Sequence, residues 1–290
     1  MNIAIAAPAR KVTPEQMAFG MDWLRKMGLN PVFDDRLFTS EYIFAGSDVF
    51  RAEVFQEYMD RDDIDAIWLA RAGYGCIRII DRLDFSRFKE HPKPIVGFSD
   101  GTVFHGMMNR LGIPSIHASM PFWLENKTQA SLQSLYDALM GRPLSYHWPA
   151  HPLNRFGETE GELVGGNLSV LYGMMGSCSF PESDGKILFL EEVDEYIYHI
   201  ERMMLGLKRA GILKRLNALI IGGLTNIHDN TDPFGRTVEQ TIKDVVAEYD
   251  YPVCFGFPAG HQPDNRALVF GKQIYLQCNR DGNHLLMTRY

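Results

Sequence analysis

Residues 93–102 read Lys93-Pro94-Ile95-Val96-Gly97-Phe98-Ser99-Asp100-Gly101-Thr102. The apolar run of Ile95, Val96 and Phe98 predicts a buried strand, and Val103-Phe104-His105-Gly106-Met107-Met108 predicts a helix immediately beyond it. Ser99 then falls on the turn between them, and two readings of it compete. A sharp strand-to-helix turn exposes a serine hydroxyl and aims the helix's free N–H groups at developing negative charge, which suits a nucleophile. The same serine can equally cap the helix and satisfy one orphan amide. Gly97 and Gly101 on either side let backbone and ligand approach closely.

Working outward, the stretches on both sides repeat the strand-then-helix pattern. Within Met1 to Pro8 a first strand starts almost at residue one, and Thr13-Pro14-Glu15-Gln16 reads as a helix start with a capping box and a proline at the first helical position. That helix carries Met17, Met21, Leu24 and Met27 on one face and stops at Gly28. A strand around Pro31-Val32-Phe33 follows, then a helix from Ser47 to about Arg61. Ala66-Ile67-Trp68-Leu69-Ala70 is a continuous apolar run, as in a strand covered on both faces, and it ends in the glycine-bearing loop Arg71-Ala72-Gly73-Tyr74-Gly75. Residues 77–82 then look helical. A helix to about Leu111, a strand at Ser115-Ile116-His117 and a helix from about Thr128 to Met140 complete the first part. Alternation of this kind predicts a parallel, doubly wound sheet for residues 1–141.

Residues 142–160 contain Pro143, Pro149 and Pro152 and have no helical period, so they are expected to form a linker. A second domain is expected over 161–290. Its elements are a short helix after Gly165-Gly166-Asn167, strands at Ile187–Leu190, Ala218–Ile221 and Val253–Phe257, and helices at 200–210 and 237–248. Leu268-Val269-Phe270, Ile274-Tyr275-Leu276 and Leu285-Leu286-Met287 are expected to follow as short strands joined by turns at Gly271-Lys272 and Asp281-Gly282-Asn283.

Bulk composition narrows the function classes. At 290 residues and 46% apolar, the chain can bury sizeable cores. A net charge of -7 with no block of lysine or arginine argues against a nucleic-acid partner. Cys76, Cys178, Cys254 and Cys278 are widely spaced with no C-x-x-C, so neither a zinc site nor a disulfide framework is expected, and they read as buried free thiols. Met1-Asn2-Ile3-Ala4-Ile5-Ala6-Ala7-Pro8 lacks a basic n-region, and no stretch approaches 18 unbroken apolar residues. A cytoplasmic protein with no membrane partner is expected.

A nucleophilic serine needs a base, and the base needs an orienting group. Of the nine histidines, His261 stands out because Phe257-Pro258-Ala259-Gly260-His261-Gln262-Pro263 is a Gly/Pro-rich loop directly after a predicted strand. His105 in a helix and His117 in a strand read as structural. For the acid, Leu190-Glu191-Glu192-Val193-Asp194-Glu195 follows a strand, and Glu191 is the first polar residue at its carboxyl end. Four acids in six residues are also what a solvated loop looks like.

These motifs, taken together, resemble the L,D-carboxypeptidases, the murein tetrapeptide carboxypeptidases of peptidoglycan recycling, a family with microcin C immunity peptidases among its relatives. The resemblance rests on Arg71 to Gly75, Lys93 to Thr102, Gly165-Gly166-Asn167-Leu168, Leu188 to Glu195 with Tyr198 and Arg202-Met203-Met204, and Gly256 to His261, in that order along the chain. It implies a flavodoxin-like N-terminal domain and a smaller C-terminal β/α domain with the active site between them, in a homodimer. It further implies a serine peptidase with Ser99 as nucleophile, His261 as general acid and base, and Glu191 orienting it. The backbone amides of Asp100 and Gly73 are the implied oxyanion donors. The implied substrate is a muropeptide, from which the terminal D-Ala is released without metal or organic cofactor. The alternatives are a peptidase of the microcin C immunity type, acting on peptidyl- or aminoacyl-nucleotides, and a non-catalytic ligand-binding α/β protein. The chain departs from the family pattern at Ala72, at Gly101 and at His117-Ala118-Ser119, positions that bear on pocket shape.

Overall fold

The computed structural model describes residues 1–288. The strands are β1 (Asn2–Ala6), β2 (Asn30–Val32), β3 (Ala66–Leu69), β4 (Ile95–Gly97), β5 (Ser115–His117), β6 (Leu144–Trp148), β7 (Gly157–Asn167), β8 (Ile187–Val193), β9 (Ala218–Thr225), β10 (Val253–Cys254), β11 (Leu268–Phe270), β12 (Gln273–Cys278) and β13 (Asn283–Met287). The helices are α1 (Pro14–Lys26), α2 (Asp48–Asp60), α3 (Ser86–Glu90), α4 (Thr102–Arg110), α5 (Gln129–Leu139), α6 (Leu168–Met174), α7 (Ile197–Arg209) and α8 (Val238–Val245).

The first sheet runs β2-β1-β3-β4-β5 with every pairing parallel, the flavodoxin-like order, in registers such as Trp68↔Val96 and Val96↔Ile116. The second sheet runs β10-β9-β8-β7-β12-β13-β6, parallel as far as β7 and antiparallel beyond it. Thr13 closes the expected capping box with Gln16. Thr237 closes a further capping box with Gln240, and Ser47 and Thr128 accept from the third amide of α2 and α5.

Three expectations are corrected. Residues 142–160 are not a bare linker. Leu144, Tyr146 and Trp148 point inward while Ser145 and His147 face solvent, so β6 forms the edge of the second sheet, and β7 already starts at Gly157. A period of two, not the absence of a helical period, was the decisive pattern there. Residues 76–82 form two short 3₁₀ turns in place of a helix, after Gly73 and Gly75 take φ of +114° and +139°. Finally, β11 does not join its sequence neighbour β12. It crosses to the first sheet and pairs antiparallel with β5, Leu268 opposite His117.

That crossing gives the two sheets a common core. Trp68, Val96 and Ile116 of the first sheet, Phe270 of β11, and Phe189, Leu276 and Leu285 of the second all belong to one buried apolar cluster. Cys76, Cys254 and Cys278 are buried free thiols as expected, whereas Cys178 is exposed.

Candidate active site

Ser99 sits where the chain leaves β4, at φ +60°, the left-handed region in which a residue with a Cβ is strained by about 1–2 kcal/mol. The strain turns the backbone sharply into a 3₁₀ turn over Ser99–Gly101 and then into α4. Space at this corner is tight. A Cβ on Gly97 would crowd Leu69 along its length, 2.7 Å from Cδ1 and 3.2 Å from Cβ, so that position calls for glycine, whereas at Gly101 only the tip of Leu69 stands close, at 2.9 Å.

Ser99 Oγ lies 3.0 Å from His261 Nε2, and His261 Nδ1 lies 2.7 Å from Glu191 Oε2. The structure therefore brings together the three side chains that the sequence placed 92 and 70 residues apart. Glu191 occupies the end of β8 with 0% exposure, and its other oxygen, Oε1, has no partner among the described residues. Glu195, the last acid of the same run, is engaged elsewhere, with His199 Nδ1 at 2.8 Å and the Tyr196 amide.

Burial alone would push His261 towards its neutral form. The charge of Glu191 and its hydrogen bond outweigh that, with a further contribution from Glu192, and hold the imidazole above its ordinary value. Such a pairing fixes the ring and favours the imidazolium that forms when the histidine takes a proton. The ring also tilts against Phe98, with centroids 4.8 Å apart.

The loop that presents His261 is built around Gly260, the glycine of the quoted motif, and Asn265, which the sequence did not single out. Gly260, at φ +119°, leaves no room for a side chain, since a Cβ would stand 2.9 Å from Glu191 Oε2. Its amide donates to Asn265 Oδ1 at 2.8 Å, and Asn265 Nδ2 in turn donates to Ser119 Oγ at 3.1 Å. Asn265 is buried and carries no charge or reactive group, so only the three-dimensional arrangement reveals its role.

Asp100 also does more than supply a backbone amide. Its buried carboxylate accepts from the Cys76 amide at 2.8 Å and so ties the Gly73–Gly75 loop to the Ser99 turn. Burial raises its pKa, with the Cys76 amide acting in the opposite direction. Neither the Asp100 nor the Gly73 amide has an acceptor among the described residues. Both residues line, with Ser99, Asn167, Ser169 and Glu192, a cleft of about 380 Å³.

Glu192 faces away from Glu191, as successive strand residues do, and is likewise buried. It accepts from Asn167 Nδ2 at 3.0 Å and from the Ser169 amide at 2.7 Å and hydroxyl at 2.6 Å. The nearby Asn167 amide donates to Thr102 Oγ1 at 2.9 Å, which joins the end of β7 to the first turn of α4. His105 and His117 are structural. His105 bonds Ser115 Oγ and the Gly97 carbonyl, and His117 packs among Phe98, Phe189 and Phe270. Among the described residues, no group of three or more His, Cys, Asp or Glu could hold a metal ion.

A strained strand-end serine, hydrogen-bonded to a histidine that is itself bonded to a buried carboxylate, is the arrangement of a serine hydrolase. Comparison with known proteins narrows the class. The model for the LD-carboxypeptidase N-terminal domain matches residues 3–118, and that for the C-terminal domain matches residues 160–276. A putative carboxypeptidase of Streptomyces coelicolor is 30% identical over 96% of this chain and 91% of its own length. The murein tetrapeptide carboxypeptidase of Pseudomonas aeruginosa is 28% identical over 96% and 94%. The crystal structure of muramoyltetrapeptide carboxypeptidase from Oxalobacter formigenes superposes with a TM-score of 0.91 at 28% identity, covering 100% of this chain and 99% of the other. The chain belongs to the LD-carboxypeptidase family, whose members are serine-type hydrolases of peptide bonds, and its activity is of that kind.

Proposed function

We propose that this protein is an L,D-carboxypeptidase that releases the terminal D-Ala from muropeptide tetrapeptides through Ser99, His261 and Glu191. The observation that carries this reading is the continuous line of hydrogen bonds from Ser99 Oγ through His261 to Glu191, at 3.0 Å and 2.7 Å. Ser99 Oγ attacks the carbonyl carbon of the scissile amide while His261 Nε2 takes its proton. The resulting oxyanion is received by the amides of Asp100 and Gly73, each contributing roughly 3 kcal/mol to the transition state. His261 then protonates the leaving nitrogen, D-Ala departs, and water, deprotonated by the same histidine, cleaves the acyl-enzyme. The reading extends to a homodimeric, cytoplasmic enzyme of peptidoglycan recycling, as the family resemblance implies.

The test is Ser99→Ala, assayed for D-Ala release from a muropeptide tetrapeptide. Release is lost while the circular dichroism spectrum is retained. Full activity in that variant overturns the serine mechanism. Wild-type protein that leaves the tetrapeptide intact but cleaves an aminoacyl-nucleotide overturns the substrate assignment.

A further inference from the structure

Two arginines that the chemistry above does not use flank the Gly73 loop. Arg71 begins that loop, two residues after β3 ends at Leu69, and Gly73 within the loop lines the cleft beside Ser99. Arg10 follows the adjacent strand, β1, and its side chain lies against the loop, so that a Cβ on Gly73 would stand 2.6 Å from Arg10 Cδ. Both arginines thus sit at the carboxyl ends of parallel strands, where α/β sheets receive ligands. Neither has a carboxylate within 4.0 Å among the described residues. Arg10 Nε is buried without a partner. Arg71 lies over the Phe122 ring at 4.0 Å, and its one hydrogen bond, to the Lys11 carbonyl, is long at 3.4 Å. Burial and then the proximity of Arg10 disfavour the charge on Arg71, the behaviour of two cations sharing a partly desolvated place with no anion between them.

We propose that Arg71, backed by Arg10, forms the subsite for the free terminal carboxylate of the residue being released. The inference rests on the carboxypeptidase reading above. In such a substrate the carboxylate carbon is three bonds from the scissile carbonyl carbon, roughly 3–4 Å away. Gly73, against which the Arg10 side chain packs, lines the same cleft as Ser99, so the arginine pair flanks the place where the scissile carbonyl must sit. A guanidinium there binds a carboxylate in a charge-assisted, bidentate manner. The same pair leaves an internal peptide bond, which has no carboxylate at that distance, without its anchor, and so selects for chain ends.

The experiment separates this inference from the reading it rests on. Binding of two tetrapeptides, one ending in D-Ala and one in D-alaninamide, is measured by calorimetry on the Ser99→Ala protein, which does not turn them over. The free acid is expected to bind at least about tenfold more tightly, and Arg71→Gln or Arg10→Gln in the same background to remove that preference. Arg71→Lys restores part of it, and thermal melts of each variant report its fold. Equal binding of acid and amide, binding of neither, or a preference that survives both substitutions overturns the subsite. D-Ala release by the wild type is read separately: release without a carboxylate preference refutes only this inference, and a carboxylate preference without release refutes only the carboxypeptidase reading.

Discussion

Replacing Glu191 with Gln tests the site most directly, because the structure dictates how the new amide must sit. Glu191 Oε2 receives the Nδ1–H of His261 at 2.7 Å, and Oε1 has no partner among the described residues. A glutamine has two ways to fill that place. With its oxygen towards His261, the histidine keeps its tautomer, but both N–H groups of the amide are buried without acceptors. With its nitrogen towards His261, one N–H is satisfied by Nδ1 and the oxygen takes the place where Oε1 already lacked a donor. The second arrangement exchanges one buried unpaired N–H for an unpaired amide oxygen, and is favoured because an orphaned carbonyl oxygen is tolerated better than an orphaned N–H. It also forces the proton onto Nε2, which then donates to Ser99 Oγ and cannot accept from it. Loss of the base in this way costs roughly 10⁴-fold in kcat, or about 5.5 kcal/mol of transition-state stabilisation. The assay is D-Ala release followed with a D-amino acid oxidase couple, with Glu195→Gln as control, since Glu195 pairs with His199 instead. A kcat for Glu191→Gln within tenfold of wild type, or an equal loss in Glu195→Gln, would refute the reasoning.

His261 is held above its ordinary pKa of 6.5, so the acid limb of the kcat/KM profile is expected to inflect above pH 6.5, with activity falling as the base becomes protonated. Glu191→Gln moves that inflection down, because burial then acts against the charge unopposed by that carboxylate; an unmoved limb contradicts the assignment. The stability linked to this histidine has the corresponding sign. A raised folded value means the contribution is complete below about pH 6.5 and is lost as pH rises through the folded pKa, which urea titrations across that range measure. Because Ser99 sits at φ +60°, Ser99→Gly is expected to be about 1 kcal/mol more stable than Ser99→Ala, both inactive, with equal stabilities ruling out the strain. Gly260→Ala crowds Glu191 Oε2 and displaces the His261 loop, lowering kcat roughly 10²-fold, and a wild-type rate would show that the loop has room.

Much of this was legible along the chain because it is local. The strand-then-turn around Ser99, the capping box at Thr13 and the apolar run at Ala66 each declare their structure within a few residues. Three kinds of information were not local. Strand β6 hides its alternation of Leu144, Tyr146 and Trp148 among prolines and histidines that read as connector. The three residues of β11 announce a strand but contain nothing to say which sheet it joins; that follows from Leu268 meeting His117 across 151 residues of chain (268 − 117 = 151). The roles of Asp100 and Asn265 are fixed by partners, the Cys76 amide in one case and the Gly260 amide and Ser119 in the other, and a carboxylate or amide side chain by itself names neither.

These non-local features bear on how the site is assembled. The sequence suggests a serine on one domain facing a histidine on another, as though two separate bodies had to dock. The bonds around His261 point elsewhere. Its loop is held chiefly by the first part of the chain: Thr128 takes the Pro263 carbonyl through its amide and Asp264 through its hydroxyl, Lys127 Nζ reaches the Gln262 carbonyl at 2.8 Å, and Ser131 Oγ donates to the Asn265 carbonyl at 2.7 Å. A few residues later the chain enters β11, which is part of the first sheet. The histidine is therefore anchored to the same sheet that presents the serine, through the amino end of α5 and through β5. What the second sheet contributes is the carboxylate, Glu191, at the end of β8, and the glutamate behind it that grips Asn167 and Ser169. Any relative movement of the two sheets would thus strain the Glu191–His261 bond before the His261–Ser99 bond, so the orienting acid, rather than the nucleophile and its base, is the part of the machinery that senses whether the two sheets are properly packed.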